Sequence, residues 1–209
     1  MQVKSECRHR MHPADRRQEI LDAALRVFAL GGFRQASLNE VARAAGVTKG
    51  CVYHHFASKE ELLLALIKQK ARPDREAPIS LIAASSASHP EKVAQMVDEL
   101  WRHFQQPGQL ELMMLAVSEL PYAPDIARLF FDEVVMHCRE QMRAAMQLIY
   151  GDVGTDAPSE REIELIARLV PSLIFGAALG QRTFAGIDPT HPSPDEVKGL
   201  LTKILVRGT

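Results

Sequence analysis

The stretch "VTKGCVYHHF" at positions 47–56 brings together side chains capable of several kinds of chemistry. Its two neighbouring histidines, His54 and His55, are of the residue type that most readily exchanges protons or binds metal near neutral pH. Lys49 and Tyr53 carry groups that can bind phosphate. An acid–base enzyme, a metal site and a DNA-binding surface all use such residues, so the flanking elements must decide between them.

The residues around this stretch predict two short helices joined by a tight turn. "SLNE" has the pattern of a capping box, in which Ser37 caps a helix and Glu40 reaches back to the Ser37 amide. Gly46 ends that helix, and Thr48 has the side chain of an N-cap for the next one. A helix, a three-residue turn with glycine and a second short helix form a helix-turn-helix motif, whose second helix enters the major groove of DNA.

The second helix of the motif begins with residues that suit contact with DNA. Thr48 and the first amides can meet a phosphate, and Lys49 can meet a phosphate or a guanine edge. Gly50 has no side chain, so the backbone can approach DNA closely. Tyr53 and His54 follow on the side expected to be exposed. We therefore expect this helix to be the recognition helix.

Helical periodicity continues on both sides of the motif, and strand signals are nearly absent. A first helix is predicted over about residues 15–30, ended by Gly31 and Gly32. "SKEE" at 58–61 predicts a second capping box, which opens a fourth helix. A segment rich in Pro, Ala and Ser follows, and then five more helices are expected, at about 90–106, 109–120, 124–150, 159–185 and 194–206.

Charge is divided unevenly along the 209 residues. Residues 1–72 carry a net charge of +6 and residues 73–209 a net charge of −7, within a total of −1. A basic segment attracts a polyanion such as the phosphate backbone, whereas an acidic segment is repelled by it. The division predicts a DNA-binding front end attached to a body that does not bind DNA.

Residues 16–62, "RRQEILDAALRVFALGGFRQASLNEVARAAGVTKGCVYHHFASKEEL", resemble the DNA-binding domain of the TetR/AcrR family of transcriptional regulators. The features that carry the resemblance occur in order: "ILDAALRVFALGGF", "VARAAGV", "TKGCVYHHF" and "SKEEL". The resemblance implies DNA contacts at Ser37, Thr48, Lys49, Gly50, Tyr53, His54 and Lys59.

The resemblance also implies the architecture, an all-α homodimer with about nine helices in each chain. The first three helices would form the helix-turn-helix domain, the fourth would link it to the body, and the last two would pair across the dimer as a four-helix bundle. In this sequence we expect a basic tail at 1–14, a DNA-binding domain with its linker helix at 15–72, and a ligand-binding and dimerisation domain at 73–209.

The two C-terminal helical segments are apolar enough to support dimerisation. The segment 159–185 is apolar on nearly all sides, so one side can pack against its own chain and another against a partner. Pro171 is expected to bend it, and 194–206 repeats apolar residues at heptad-like spacing. A monomeric bundle core is the alternative. The predicted dimer residues are Ile163, Ala167, Val170, Ile174, Ala177, Ala178, Val197, Leu201 and Ile204.

An apolar effector pocket is expected among residues 90–185. Aromatic residues and methionines suit an adaptable apolar site, although the same types more often form a core. The predicted lining residues are Trp101, Phe104, Met113, Met114, Val117, Phe131, His137, Phe175 and Leu179. Four polar residues of this region could orient a ligand or face solvent: Gln105, Glu119, Arg143 and Gln181.

Other residues of the sequence are of types that serve metal sensing, redox sensing or catalysis. Cys7, His9 and His12 in the tail are of types that bind zinc or copper, but no fourth ligand is evident. Oxidation of Cys51 in the recognition helix could block DNA binding, although a small covered side chain is the simpler interpretation. No convergent carboxylate, nucleophile elbow or phosphate loop accompanies the histidine pair, so an enzyme is not expected.

Cellular location follows from segments that the sequence lacks. The three cysteines are odd in number and far apart, the N-terminus has no apolar signal region, and no apolar run approaches the ~20 residues that span a bilayer. We expect a cytoplasmic protein with no membrane partner, no metal and no other cofactor. The sequence predicts a homodimeric transcriptional regulator, best interpreted as a repressor, that a small hydrophobic effector releases from a palindromic DNA operator. A metal- or redox-responsive DNA-binding regulator is one alternative, and an effector-independent DNA binder is another.

Overall fold

A computed structural model of the chain describes residues 13–71, 82, 84–151 and 157–207, and every regular element in these ranges is helical. The first four helices are α1 (Pro13–Gly31), α2 (Leu38–Ala44), α3 (Lys49–His55) and α4 (Lys59–Ala71). The others are α5 (His89–Gln105), α6 (Gln109–Glu119), α7 (Pro124–Phe130), α8 (Met136–Tyr150), α9 (Glu160–Phe184) and α10 (Pro194–Arg207). The tail residues Cys7, His9 and His12 lie outside the described residues.

A π-helical turn at Phe131–Val135 joins α7 to α8. The residues on both sides of the turn, Phe130 and Met136, keep right-handed helical dihedral angles, so the chain continues as one helix. The predicted helix at 124–150 is therefore a single helix with a wider turn inside it. Counted in this way, the described part of the chain holds nine helices, and the all-α prediction is confirmed.

Two compact units divide the chain, and the division falls between Leu66 and Ile67 inside α4. In the first unit, α1 packs against α2 and α2 packs against α3. The side chains that form this core are buried to within a few per cent of completely: Ile20, Leu21, Phe28, Phe33, Val41, Val52, Phe56 and Leu62. The buried face of α1 thus supports the short helices of the motif.

The second unit is built on α5, which packs against α6, α8, α9 and α10, while α9 also packs on α8. Its core draws on all of these helices and includes Val93, Met96, Trp101, Phe104, Met142, Met146, Ile149, Tyr150, Ile163, Val170, Ile174 and Leu201. Tyr150 closes one end of this core, because its hydroxyl donates a hydrogen bond of 2.7 Å to the carbonyl oxygen of Leu205.

The helix α9 has one face in this core and one face toward solvent. Leu165, Leu169 and Leu173 are 39%, 56% and 55% exposed, and on α10 Leu200 and Ile204 are 59% and 55% exposed. These residues repeat at intervals of four, which places them along one side of each helix. These five residues are called the exposed apolar face of α9 and α10.

The predicted dimer residues lie mainly on the opposite side of α9, and this part of the prediction needs correction. Six of them are at most 9% exposed and belong to the core of their own chain: Ile163, Ala167, Val170, Ile174, Ala178 and Leu201. Ala177 and Val197 are half-buried against the same core, and only Ile204 is well exposed. Periodicity marks an apolar face but does not tell which of two apolar faces the chain covers itself.

By length and composition, α9 is also a helix that could cross a membrane. Only 28% of its most apolar window is buried. The expectation that no segment reaches this length and hydropathy was therefore wrong, because the charged residues of the segment cluster near its start and leave a long apolar remainder. A core helix of a soluble protein meets the same criterion, and the exposed leucines account for the low burial.

The residues predicted to line the effector pocket are divided between the core and the surface. Trp101 and Phe104 are 7% exposed and form part of the core, whereas Met114, Val117 and Phe131 are 43–48% exposed. Met113, Phe175 and Leu179 pack against the core from its edge, and His137 lies 2.7 Å from the Gln141 side chain. These nine residues differ widely in exposure, because apolar character selects core and surface positions alike, and their role as a pocket lining stays a prediction.

Candidate nucleic-acid interface

The recognition helix α3 is held in place by the turn that ends α2. Ala45 is the C-cap of α2, and Gly46 follows with a φ of +66°, a conformation that favours glycine. The amide of Gly46 donates to Arg43 and the amide of Val47 donates to Ala42, at 3.2 and 3.0 Å between nitrogen and carbonyl oxygen. This pair of bonds is a Schellman motif, which fixes the angle at which the chain leaves α2 and enters α3.

Both predicted N-caps of the motif are confirmed. The Ser37 hydroxyl accepts the Glu40 amide at 3.3 Å, and the Glu40 carboxylate accepts the Ser37 amide at 2.8 Å. The Ser37 hydroxyl also donates to the Glu40 carboxylate at 2.8 Å, and the hydrogen bonds that this carboxylate accepts from the Ser37 hydroxyl and amide hold the pKa of Glu40 below its usual value. At the start of α3 the Thr48 hydroxyl accepts the Cys51 amide at 3.2 Å.

The second predicted capping box differs in one of its two bonds. The Ser58 hydroxyl accepts the Glu61 amide at 3.1 Å, as expected. The Glu61 carboxylate, however, accepts the amide of Ala57 at 2.7 Å, one residue before the expected amide of Ser58. A longer reach is available to Glu61 because the chain before α4 is extended at Phe56.

The helix α3 separates buried from exposed residues sharply. Val52 is fully buried and Phe56 is 2% exposed, and both hold the helix on the first unit. The residues that carry the predicted DNA contacts are exposed on the other side: Thr48, Lys49, Gly50, Tyr53 and His54. The structure thus brings these five predicted residues together on one edge of one short helix.

Lys49 and Tyr53 lie one helical turn apart and contact each other. The Lys49 ammonium is 5.4 Å from the centroid of the Tyr53 ring, within the range of a cation–π interaction. Such a contact limits the side-chain conformations of both residues before any ligand arrives. The ammonium and the phenol hydroxyl therefore form one preordered pair at the exposed edge.

Gly50 is not required by the packing of its own chain. A Cβ atom built at this position meets no other atom of the chain within 4 Å, and the backbone has an ordinary helical φ. A helical glycine lowers helix stability by roughly 0.5–1 kcal/mol relative to alanine. The open space above Gly50 points away from the fold, which is where a close ligand would lie.

The two histidines at the end of α3 differ in environment. The His54 ring is exposed, and it meets the His55 ring at 5.3 Å between centroids. His55 is half-buried and contacts the Phe56 ring. Burial, followed by the positive charges of His54, Arg17 and Arg16, lowers the pKa of His55. His55 is therefore neutral at pH 7 and serves packing.

Lys59 has a structural role that sequence reasoning missed. Its ammonium donates to the carbonyl oxygens of Phe33, Arg34 and Ala36 at 3.0, 2.8 and 3.5 Å, and it lies 4.9 Å from the Phe33 ring centroid. These carbonyls belong to the loop between α1 and α2, which lacks a helix of its own. The first residue of α4 thus holds that loop in place, whereas its contact with DNA stays a prediction.

Comparison with known proteins shows which family the segment around this interface resembles. Residues 20–66 match the family described as "Bacterial regulatory proteins, tetR family". Residues 20–66 therefore form a DNA-binding domain of the TetR family. Its members are DNA-binding transcriptional regulators rather than enzymes, and the matched residues contain the whole of α2 and α3 and all seven predicted DNA contacts.

Individual TetR-family relatives differ in how much of this chain they match. The HTH-type transcriptional regulator SrpR of Pseudomonas putida is 49% identical over 57 residues, which is 27% of this chain and 27% of SrpR. The HTH-type transcriptional repressor AcnR of Corynebacterium glutamicum is 26% identical over 192 residues, which is 91% of this chain and 95% of AcnR. The stronger likeness is therefore confined to the N-terminal part, about a quarter of the length of such relatives.

The fold of the whole chain is shared with a solved structure. A transcriptional regulator from Pseudomonas aeruginosa PAO1 superposes with a TM-score of 0.74 over 98% of this chain and 95% of that one, at 20% sequence identity. At this identity the likeness shows the fold alone. The second unit of this chain thus shares the fold of that regulator, whereas few of its residues are the same.

Proposed function

We propose that this protein is a homodimeric transcriptional repressor of the cytoplasm that binds a palindromic DNA operator and is released by a small, mainly hydrophobic effector. The observation that carries the proposal is the exposed edge of α3, where Thr48, Lys49, Gly50 and Tyr53 face solvent while Val52 is fully buried. Helix amides, an ammonium and a phenol on one edge suit a groove bordered by phosphates.

The exposed apolar face of α9 and α10 supports dimerisation. Five large apolar residues point away from the core there, and a soluble monomer gains nothing by exposing them. Gly176 on α9 and Gly199 on α10 are helical, and a Cβ atom at either meets no atom of the chain within 4 Å. Small residues beside exposed leucines let a second copy approach closely, so we assign this face to the partner chain.

A dimer gives the DNA contact its spacing. Two recognition helices related by a two-fold axis read half-sites one helical turn apart, roughly 34 Å along the duplex. An effector that binds the second unit more tightly in a non-binding state would lower the population of the DNA-binding state. The proposed release is therefore a shift of population, which requires a difference in effector affinity between the two states.

Selection of DNA by the purified protein tests this function. We expect that duplexes recovered from a random pool at low ionic strength converge on a sequence with two-fold symmetry. The affinity for that sequence should fall steeply with added salt, because each phosphate contact releases counterions. A pool that stays random, or a recovered site without symmetry, would contradict the proposed operator binding.

A further inference from the structure

A cavity of about 240 Å³, partly open to solvent, lies in the second unit, between the end of α5, the turn into α6 and the last turns of α9. Its apolar wall includes Phe104, Leu110 and Ala178, and its polar wall includes Glu111, Gln181 and Arg182. The volume is somewhat below the ~300–1,000 Å³ of pockets for drug-sized ligands. The cavity therefore suits a small molecule with one polar end.

The Gln181 side chain supplies an unused acceptor in this wall. Its Oε1 atom is buried from solvent and has no hydrogen-bond partner among the described residues. A buried polar atom without a partner costs free energy, and such atoms are rare in folded proteins. A donor supplied by a ligand in the cavity would remove this cost.

The electrostatic surroundings favour a positive donor. Both α5, which ends at Gln105, and α9, which ends at Phe184, bring their C-terminal ends toward this region, and such ends attract cations. Glu111 adds a carboxylate. Burial raises the pKa of Glu111, but hydrogen bonds from its own amide and from Arg182 outweigh that effect and hold the pKa below its usual value.

Arg182 forms an ion pair with this carboxylate that is partly exposed to solvent. Its guanidinium lies 2.6 Å from one Glu111 oxygen, and its side chain is 55% exposed. Ion pairs this exposed contribute little to stability, about 0–1 kcal/mol, so a ligand can share or replace the contact at small cost.

We propose that this cavity binds a small primary ammonium ion with an apolar body, whose ammonium donates to Gln181 Oε1 and to the Glu111 carboxylate. The apolar body lies against Phe104, Leu110 and Ala178. This inference rests on the proposed function and narrows it, because it assigns the chemical class of the effector and the place where it binds.

Calorimetric titration of the full chain with four ligands of one shape tests the site. Benzylammonium should bind, benzyl alcohol and benzamide should bind more weakly, and benzoate should not bind. Gln181→Leu removes the acceptor and should weaken benzylammonium at least about tenfold, as expected for a charge-assisted hydrogen bond. Gln147→Leu makes the same change at an exposed position on α8 and should leave the affinity unchanged.

Several results would overturn this assignment. They are the absence of benzylammonium binding, binding of benzoate at equal or higher affinity, and a Gln181→Leu variant that binds like the original chain. Glu111→Gln provides a second variant if Gln181→Leu does not fold, and it should also weaken benzylammonium but not benzyl alcohol. Unchanged binding of benzylammonium to Glu111→Gln would equally contradict the site.

The same samples separate this inference from the proposed function. A protein that selects a symmetric duplex but binds no benzylammonium refutes the ammonium site and leaves the operator function standing. A protein that binds benzylammonium at Gln181 but selects no duplex refutes the operator function and leaves the ammonium site standing.

Discussion

Individual residues at the recognition edge are chosen for contact with a ligand more than for stability of the fold. Gly50 illustrates this, because nothing in the chain occupies the space where its Cβ atom would be. Lys59 illustrates the reverse, because its ammonium is directed at three carbonyls of its own chain. Replacing the two residues should therefore change the stability of the first unit in opposite directions.

Gly50→Ala should stabilise the first unit by up to about 1 kcal/mol, because alanine favours a helix more than glycine does. The same change should weaken DNA binding about tenfold, since a methyl group then separates the backbone from the groove. Urea unfolding and a DNA titration measure the two effects. Gly31→Ala, an exposed helical position in the same unit, is the control and should leave DNA binding as it was. Unchanged DNA binding by Gly50→Ala would refute the close approach.

Lys59→Met should lower the unfolding free energy by about 1–2 kcal/mol, because the loop carbonyls lose a charged donor while the apolar stem remains. Thermal unfolding followed by circular dichroism measures this loss. Lys68→Met changes an exposed lysine on the same helix and should have no comparable effect. Equal melting temperatures for the Lys59 variant and the original chain would show that the loop does not depend on this ammonium.

At the scale of elements, sequence predicted helices better than it predicted their faces. The capping box at Ser37 and the cap at Thr48 depend on local hydrogen bonds, so a few residues suffice to place α2 and α3. The inner and outer faces of α9 are both apolar, and only tertiary packing decides that Ile174 is buried and Leu173 exposed. The Lys59 contacts join residues more than twenty positions apart, which no local pattern reveals.

The helix α5 makes the second unit sensitive to acid. Burial lowers the pKa of His103, whose Nε2 lies 2.7 Å from the Gln109 amide nitrogen and accepts its hydrogen bond. Burial, together with the charge of Lys92, also lowers the pKa of His89 at the start of the same helix. Both histidines are therefore neutral in the folded chain at pH 7 and take up protons more readily when it unfolds.

The free energy of unfolding should accordingly show no loss from these histidines above their ordinary pKa of 6.5. It should fall as the pH drops through and below that value. The slope is at most about 1.4 kcal/mol per pH unit for each histidine. Urea midpoints at pH 7.5 and 5.5 measure it, and His103→Gln, which accepts a hydrogen bond but does not titrate, should lose less. Greater stability at pH 5.5 would contradict the direction.

At the scale of the whole molecule, the proposed dimer depends on the exposed leucines of α9. Leu169→Glu places a charge at the centre of that face and should convert a dimer into a monomer, as light scattering after gel filtration would show. Leu148→Glu makes the same change at a residue of α8 that is equally exposed, at 54% against 56%, and should leave the dimer intact. A Leu169→Glu protein that keeps its mass would place the interface elsewhere.

The central claim is that the exposed edge of α3 binds the groove of duplex DNA. The most direct test compares the affinity of the original chain and of the Lys49→Ala and Tyr53→Ala variants for the selected duplex, with Tyr122→Ala, an exposed tyrosine of the second unit, as control. We predict a loss of about 1–3 kcal/mol for each α3 variant and none for the control. Wild-type affinity in both α3 variants, with their fold intact, would contradict the account.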